Sequence, residues 1–239
     1  MFTPDNAMQT RCLAGLDTLI VPGSAHGLCV VLLHGFGADA NDLFPLSQVV
    51  SAPPGTTWLV PHAPLEVPLG PHVTGRAWFP IDMMALQAAM STGTFRNMAQ
   101  EQPAQLRRSR DQVLALVQEY GVPLHRVVFA GFSQGAMVAT ACALQAPENP
   151  AGLAIFSGTL IDAALWRTQA PARTGVPFVQ SHGSRDPLLD IAAARELYSL
   201  LKDAGLQGDF MGFAGEHELP MPVLDRFGAL LRQWQTVVN

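Results

Sequence analysis

Ser133 stands between two glycines in GFSQGAM, directly after the apolar run RVVFA and at the head of the alanine-rich QGAMVATACALQ. A serine hydroxyl is a weak nucleophile at neutral pH. It becomes a strong one when a base takes its proton and a third group fixes the base's tautomer. The pattern G-x-S-x-G on a strand-to-helix turn lifts the hydroxyl clear of the backbone, and the flanking glycines let the chain pass closely. The helix amino terminus adds free N–H groups and the positive end of a dipole. In a chain with 21 glycines the motif alone could be an ordinary loop, but the strand before it and the helix after it favour the nucleophile.

Such a serine requires a histidine and an acid, which in this strand-turn-helix setting follow along the chain in the order acid, then histidine. After Ser133 the histidines are His182 and His217. His182, in QSHGS, precedes Asp186 and so is in the wrong order for the base; it reads as a histidine hydrogen-bonded near a strand end. His217 lies in FAGEHELP, a loop that gives an imidazole reach across a sheet. Asp186, in HGSRDP, sits just past a strand in a turn favoured by Gly183 and Pro187. Asp162 reads as a helix cap, and Asp190 and Glu218 are less well placed alternatives. An oxyanion would need preorganised donors. The backbone N–H groups of Gln134 and of Phe36, in LHGFGADAND, are the candidates, and the Phe36 side chain would also wall an acyl pocket. His34 reads as structural.

These residues need elements to hold them. Apolar runs ending in glycine or proline recur as LCVVLLHG, TWLVPHAP, RVVFAGFSQG, GLAIFSG, PFVQSHGS and GDFMGFAG, and segments of helical spacing cover 103–120, 134–145, 190–204 and 222–237. Continuous rather than alternating hydrophobicity in the strands predicts an α/β fold: a mostly parallel sheet with helices on both faces and functional groups at the strands' carboxyl ends. Residues 65–100 break the rhythm, with little strand or clean helix pattern. They read as an insertion lining the substrate site, with Met83, Met84, Met90 and Met98 offering an adaptable apolar surface to an acyl chain or filling core gaps. No linker or repeat divides the chain, so a single domain over 1–239 is expected.

Composition narrows the function classes. A net charge of −5 offers no electrostatic footprint for nucleic acid, and the RRSR cluster at 107–110 reads as a solvated helix face. Three scattered cysteines argue against a disulfide framework, and the opening MFTPDNAMQTRC lacks the blocks of a secretory leader. LCVVLL is too short to cross a bilayer. Together these predict a soluble cytoplasmic protein. An apolar face on the insertion would allow a homodimer.

With these residues assembled, the chain resembles the phospholipase/carboxylesterase family of α/β hydrolases, which includes acyl-protein thioesterases and small bacterial carboxylesterases. LLHGFGADANDL, PHAP, RAWF, GFSQGAM, HGSRDP and GEHELP stand in that family's order. The resemblance implies an α/β-hydrolase fold and hydrolysis of carboxylic esters or thioesters without cofactor or metal. It also implies Ser133 as nucleophile, Asp186 orienting, His217 as general base and acid, and Phe36 and Gln134 at the oxyanion positions. Trp78 matches an aromatic position near the family's acyl site. Glu216 stands where many relatives carry glycine, and with Glu218 it flanks His217 by two carboxylates that either point inward or lie in solvent. A carboxylesterase for short- to medium-chain esters is the first expectation. A thioesterase or lysophospholipase would use the same residues. A hydrolase-like binding protein is the reading from another class, since a fold does not determine function.

Overall fold

The computed structural model describes residues 8–238; the first seven residues of the segment read as lacking a leader lie outside them. Eight strands form one sheet in the spatial order β1 (Gln9–Leu13), β2 (Leu16–Val21), β4 (Thr57–Pro61), β3 (Cys29–Leu33), β7 (Val127–Phe132), β8 (Gly152–Phe156), β9 (Pro177–Gly183) and β10 (Gln207–Phe213). From β4 to β10 every neighbouring pair is parallel, and only β1 with β2 and β2 with β4 run antiparallel.

The central strands are apolar at every position because both faces are covered. Val31 and Leu33 point into a core completed by α4 (Ala104–Tyr120), α5 (Gln134–Gln145), α6 (Ala163–Gln169) and α7 (Ile191–Asp203). Val30 and Leu32 point the other way, toward α1 (Ala40–Leu43), α2 (Leu46–Val49) and α8 (Met221–Val238). On α8 the residues Phe227, Leu231 and Trp234 recur at helical spacing and are buried, each such side chain stabilising the fold by about 1.5–3 kcal/mol. Trp234 lies so close over β8 that a Cβ on Gly152 would come within 2.6 Å of its indole ring.

Two regions differ from expectation. The first hairpin, β1 and β2, turns at Ala14 and Gly15, both with positive φ; four of the five β1 positions are exposed, so an edge strand of this kind carries no apolar run. The insertion is also more regular than its pattern suggests. It contains a hairpin of β5 (Leu65–Gly70) and β6 (Val73–Ala77), then α3 (Met83–Ser91), which is capped by the Asp82 carboxylate accepting from Ala85 N–H at 2.9 Å. No residue of α3 is fully buried, which is why its apolar spacing is poorly defined.

Candidate active site

Ser133 sits between β7 and α5 with φ 55° and ψ −118°, a left-handed conformation that costs a non-glycine residue of the order of 1–3 kcal/mol. The surroundings compel it. A Cβ on Gly131 would lie 2.3 Å from the Gly135 carbonyl oxygen, and one on Gly135 would lie 2.1 Å from that of Leu33. The Ser133 N–H is held by the Phe156 carbonyl on β8 at 2.8 Å, and its own carbonyl accepts from Ala136 N–H at 3.0 Å, starting the helix. Backbone contacts on both sides thus hold the turn that points the side chain away from the sheet.

Asp186 and His217 come together from the ends of β9 and β10. His217 Nδ1 donates to Asp186 Oδ2 at 2.7 Å, while Asp186 Oδ1 accepts from the N–H groups of Leu188 and Leu189 at 2.9 and 3.0 Å. Burial of Asp186 would by itself raise its pKa. The hydrogen bond and charge of His217, with the two backbone donors, outweigh that and hold the carboxyl below its ordinary value. His182 adds a second imidazole to the same carboxylate, its Nε2 lying 3.3 Å from Oδ2 and 2.9 Å from the Leu189 carbonyl. Its i, i+4 spacing to Asp186 was the available sequence signal. The His217 ring also packs on Phe132, with centroids 4.8 Å apart. Glu216 and Glu218 are both exposed, and the Glu218 carboxylate accepts from Glu216 N–H at 3.2 Å, closing the loop around His217.

Asp162 does not cap α6 with its side chain. It adopts a left-handed conformation, is buried, and faces Arg107 at 3.6 Å. RRSR is therefore only partly a solvated face: Arg107 meets that carboxylate, and the buried Ser109 donates to the Trp78 carbonyl at 2.5 Å.

The loop after β3 lies against the nucleophile, since a Cβ on Gly35 would be 3.3 Å from that of Ser133. Among the described residues, neither the Phe36 nor the Gln134 N–H meets a protein acceptor. The loop's shape is held from two sides. His34 donates from Nδ1 to the Gly35 carbonyl at 2.8 Å and accepts at Nε2 from Ala63 N–H at 3.0 Å, in the PHAP segment. Burial lowers its pKa to about 4, so the ring is neutral in this role. On the other side, Gly37 N–H donates to the Arg76 carbonyl at 2.8 Å and Arg76 N–H to that of Ala38 at 3.0 Å.

Trp78 does not line the cavity beside Ser133. It is fully buried, its indole N–H donates to the His34 carbonyl at 2.9 Å, and its ring packs against the His34 imidazole. A tryptophan N–H in the interior needs an acceptor, and this one finds it beneath the loop. Gln134, also fully buried, accepts from Trp78 N–H at 2.8 Å and donates to the Phe79 carbonyl at 2.7 Å. The side chain of Gln134 therefore ties the helix start to RAWF, a role the motif did not disclose.

Ser133, His217, Phe36 and Gln134 open on one cavity of about 560 Å³ whose other walls are largely apolar. Met83, Met90 and Met98 line it, whereas Met84 is 84% exposed and does not. Ile81, Leu86, Met137, Leu188 and Leu189 were not anticipated; their only signal was proximity to the motifs. A hollow of similar size, about 580 Å³, lies at the opposite ends of the strands, beside Pro177, Gln207 and Trp234, away from these groups. Among the described residues no cluster of three His, Cys, Asp or Glu side chains could hold a metal ion, and no helix is long and apolar enough to cross a membrane.

A mostly parallel sheet with helices on both faces, and a serine on the turn after a central strand, define an α/β hydrolase. The model of the phospholipase/carboxylesterase family matches residues 16–234, and the chain belongs to that family. An acyl-protein thioesterase 1 of Schizosaccharomyces pombe is 29% identical over 235 residues, covering 95% of this chain and 98% of the relative. That of Cryptococcus neoformans is 26% identical over 174 residues, covering 72% and 71%. Among solved structures, esterase PE8 superposes with a TM-score of 0.74 at 25% identity, covering 91% of this chain and 98% of the other. A Bacillus cereus carboxylesterase shares the fold with a TM-score of 0.66 at 18% identity, covering 92% and 94%.

Proposed function

We propose that this protein is a serine carboxylesterase that hydrolyses short- to medium-chain carboxylic esters through an acyl-enzyme. The observation that carries the reading is the strained Ser133, facing the same cavity as an imidazole whose Nδ1 is bonded to a buried carboxylate. Ser133 Oγ attacks the ester carbonyl carbon while His217 Nε2 takes the hydroxyl proton. Asp186 holds the Nδ1–H tautomer and stabilises the imidazolium. The carbonyl oxygen, now negative, is met by the N–H groups of Phe36 and Gln134, neither of which must give up another protein partner. Collapse of the tetrahedral intermediate expels the alcohol, which takes the proton from His217. Water activated by the same imidazole then releases the acid and returns Ser133. The acyl chain lies against Phe36 and the methionine-lined wall.

Thioesters would pass through the same steps with a thiol as leaving group, and similarity to acyl-protein thioesterases favours this as the second reading. Neither reading requires a cofactor. We also place the protein in the cytoplasm, and we read the exposed Leu69, Val73 and Phe95 of the insertion as able to pair two copies in a homodimer. The whole chain is taken as one domain, with 65–100 as its substrate-lining insertion.

Ser133→Ala should lower kcat/KM for p-nitrophenyl butyrate by at least about a thousandfold without loss of fold, and should abolish labelling by a fluorophosphonate. Wild-type turnover by the variant would remove Ser133 from the reaction. Failure of the folded wild type to label would favour a non-catalytic binding protein.

A further inference from the structure

The loop that carries Asp186 is held in two different ways. Its first half is tied to β10 and the loop after it by main-chain bonds: Ser184 N–H donates to the Phe213 carbonyl at 2.8 Å and Arg185 N–H to that of Gly215 at 2.9 Å. Across 187–189, among the described residues, no hydrogen bond joins one main-chain group to another. That half is held by two side chains. Asp186 Oδ1 accepts from the Leu188 and Leu189 N–H groups, and His182 Nε2 donates to the Leu189 carbonyl at 2.9 Å. A carbonyl oxygen only accepts, so the proton of His182 sits on Nε2. The ring is fully buried on β9 and its Nδ1 has no hydrogen-bond partner, so a second proton there would be a buried donor left unpaired. Burial also lowers the pKa of the ring, which therefore acts as a neutral donor.

These bonds form a chain from the sheet to the base. His182 fixes the Leu189 carbonyl, and the Leu188 and Leu189 N–H groups fix the rotation of the Asp186 carboxylate through Oδ1. Oδ2 is thereby presented to His217 Nδ1 at 2.7 Å. The same His182 nitrogen lies 3.3 Å from Oδ2, where the positive end of its N–H dipole favours the ionised carboxylate. His182 does not line the cavity beside Ser133, so whatever it does for the reaction passes through Asp186. We infer that His182 is a positioning residue of the hydrolysis: it anchors the acid loop from inside the sheet, so that Asp186 keeps the His217 imidazole in the orientation Ser133 needs. This rests on the esterase reading above.

The substrate for the test is p-nitrophenyl acetate, whose short acyl group keeps contact with the cavity wall small. His182→Leu removes the Nε2 donor and should lower kcat roughly tenfold with KM within about twofold of wild type. His182→Gln, whose Nε2 stands as many bonds from Cβ as that of histidine, should regain most of that loss, whereas His182→Asn, one bond shorter, should not. The deciding measurement is a double-mutant cycle, because a residue that works through Asp186 has little left to position once the carboxylate is gone. With fluorophosphonate in large excess, His182→Leu should slow labelling of Ser133 roughly tenfold in the otherwise wild-type chain and less than about twofold in the Asp186→Asn background. Should His182→Leu fail to fold by circular dichroism, His182→Asn takes its place in the cycle. A folded single variant with kcat within about twofold of wild type, or a loss carried in full into the Asp186→Asn background, would overturn the proposal. A wild type that neither hydrolyses the ester nor takes the label would instead remove the esterase reading beneath it.

Discussion

Asp186 shows how much one side chain can organise. Its Oδ2 is shared by His217 and His182, and its Oδ1 by the Leu188 and Leu189 N–H groups, whose residues wall the cavity. The acid therefore orients the imidazole and shapes the pocket with the same carboxylate. Asp186→Asn keeps an oxygen for the backbone donors but can offer an N–H to His217 Nδ1, which favours the wrong tautomer. It should lower kcat by roughly a thousandfold or more with little change in KM and an unchanged far-ultraviolet spectrum. Steady-state kinetics on p-nitrophenyl butyrate would decide this, and a kcat near wild type would remove Asp186 from its proposed role. Strain at Ser133 belongs to the same scale: its left-handed backbone persists only because neighbours on β8 and within α5 hold it.

At the level of elements, the site depends on α5 being pressed end-on against β3. Gly135 makes that approach, and a methyl group there would meet the Leu33 carbonyl oxygen at 2.1 Å and that of His34 at 2.5 Å. Both are main-chain atoms of the strand and loop that carry Phe36, so neither can yield without moving the proposed oxyanion donors. Gly135→Ala should cost about 1–3 kcal/mol of stability and more than about a hundredfold in kcat/KM, read from thermal melting and ester hydrolysis on one preparation. An alanine variant with full activity would show that the donors are not held by this contact. The insertion acts at this scale too. Its hairpin bonds to the Phe36 loop through Arg76, and Trp78 props the same loop from below. RAWF thus serves as scaffold under the Phe36 loop, and the cavity wall comes from α3 and its neighbours.

For the molecule as a whole, buried histidines make stability depend on pH. The His34 pKa falls from the ordinary 6.5 to about 4 because burial penalises the charged ring, and burial lowers that of His182 as well. Between pH 6.5 and 4 the unfolded chain therefore binds more protons than the folded one, so stability declines as pH falls through that window. For His34 the full loss is about 3 kcal/mol, complete near its folded pKa. Asp186 acts lower still, its contribution being lost as pH falls below the ordinary carboxyl range. Urea denaturation between pH 7 and pH 4.5 should show a falling midpoint, and His34→Asn should flatten that fall. An unchanged slope in the variant would exclude His34 as a source. Cys29 and Cys142 play no part near neutrality; burial raises both thiols, Cys29 to about 12.

Local order along the chain determined much of this protein. Continuous apolar runs announced the parallel strands, and glycines around Ser133, with HGSRDP and GEHELP downstream, brought the serine, acid and histidine into view. Such features are legible because each depends on neighbours a few residues away. The edge hairpin and α3 were not, since neither turns an apolar face wholly into the core. Tertiary structure alone decided that Trp78 faces inward, that the Gln134 side chain ties helix to insertion, that His182 shares the carboxylate of Asp186, and that Arg96 lines the cavity while bonded to Glu101. These are contacts between residues far apart in the chain. Their partners are set by how the layers pack, and a single sequence read along its length does not contain that distance.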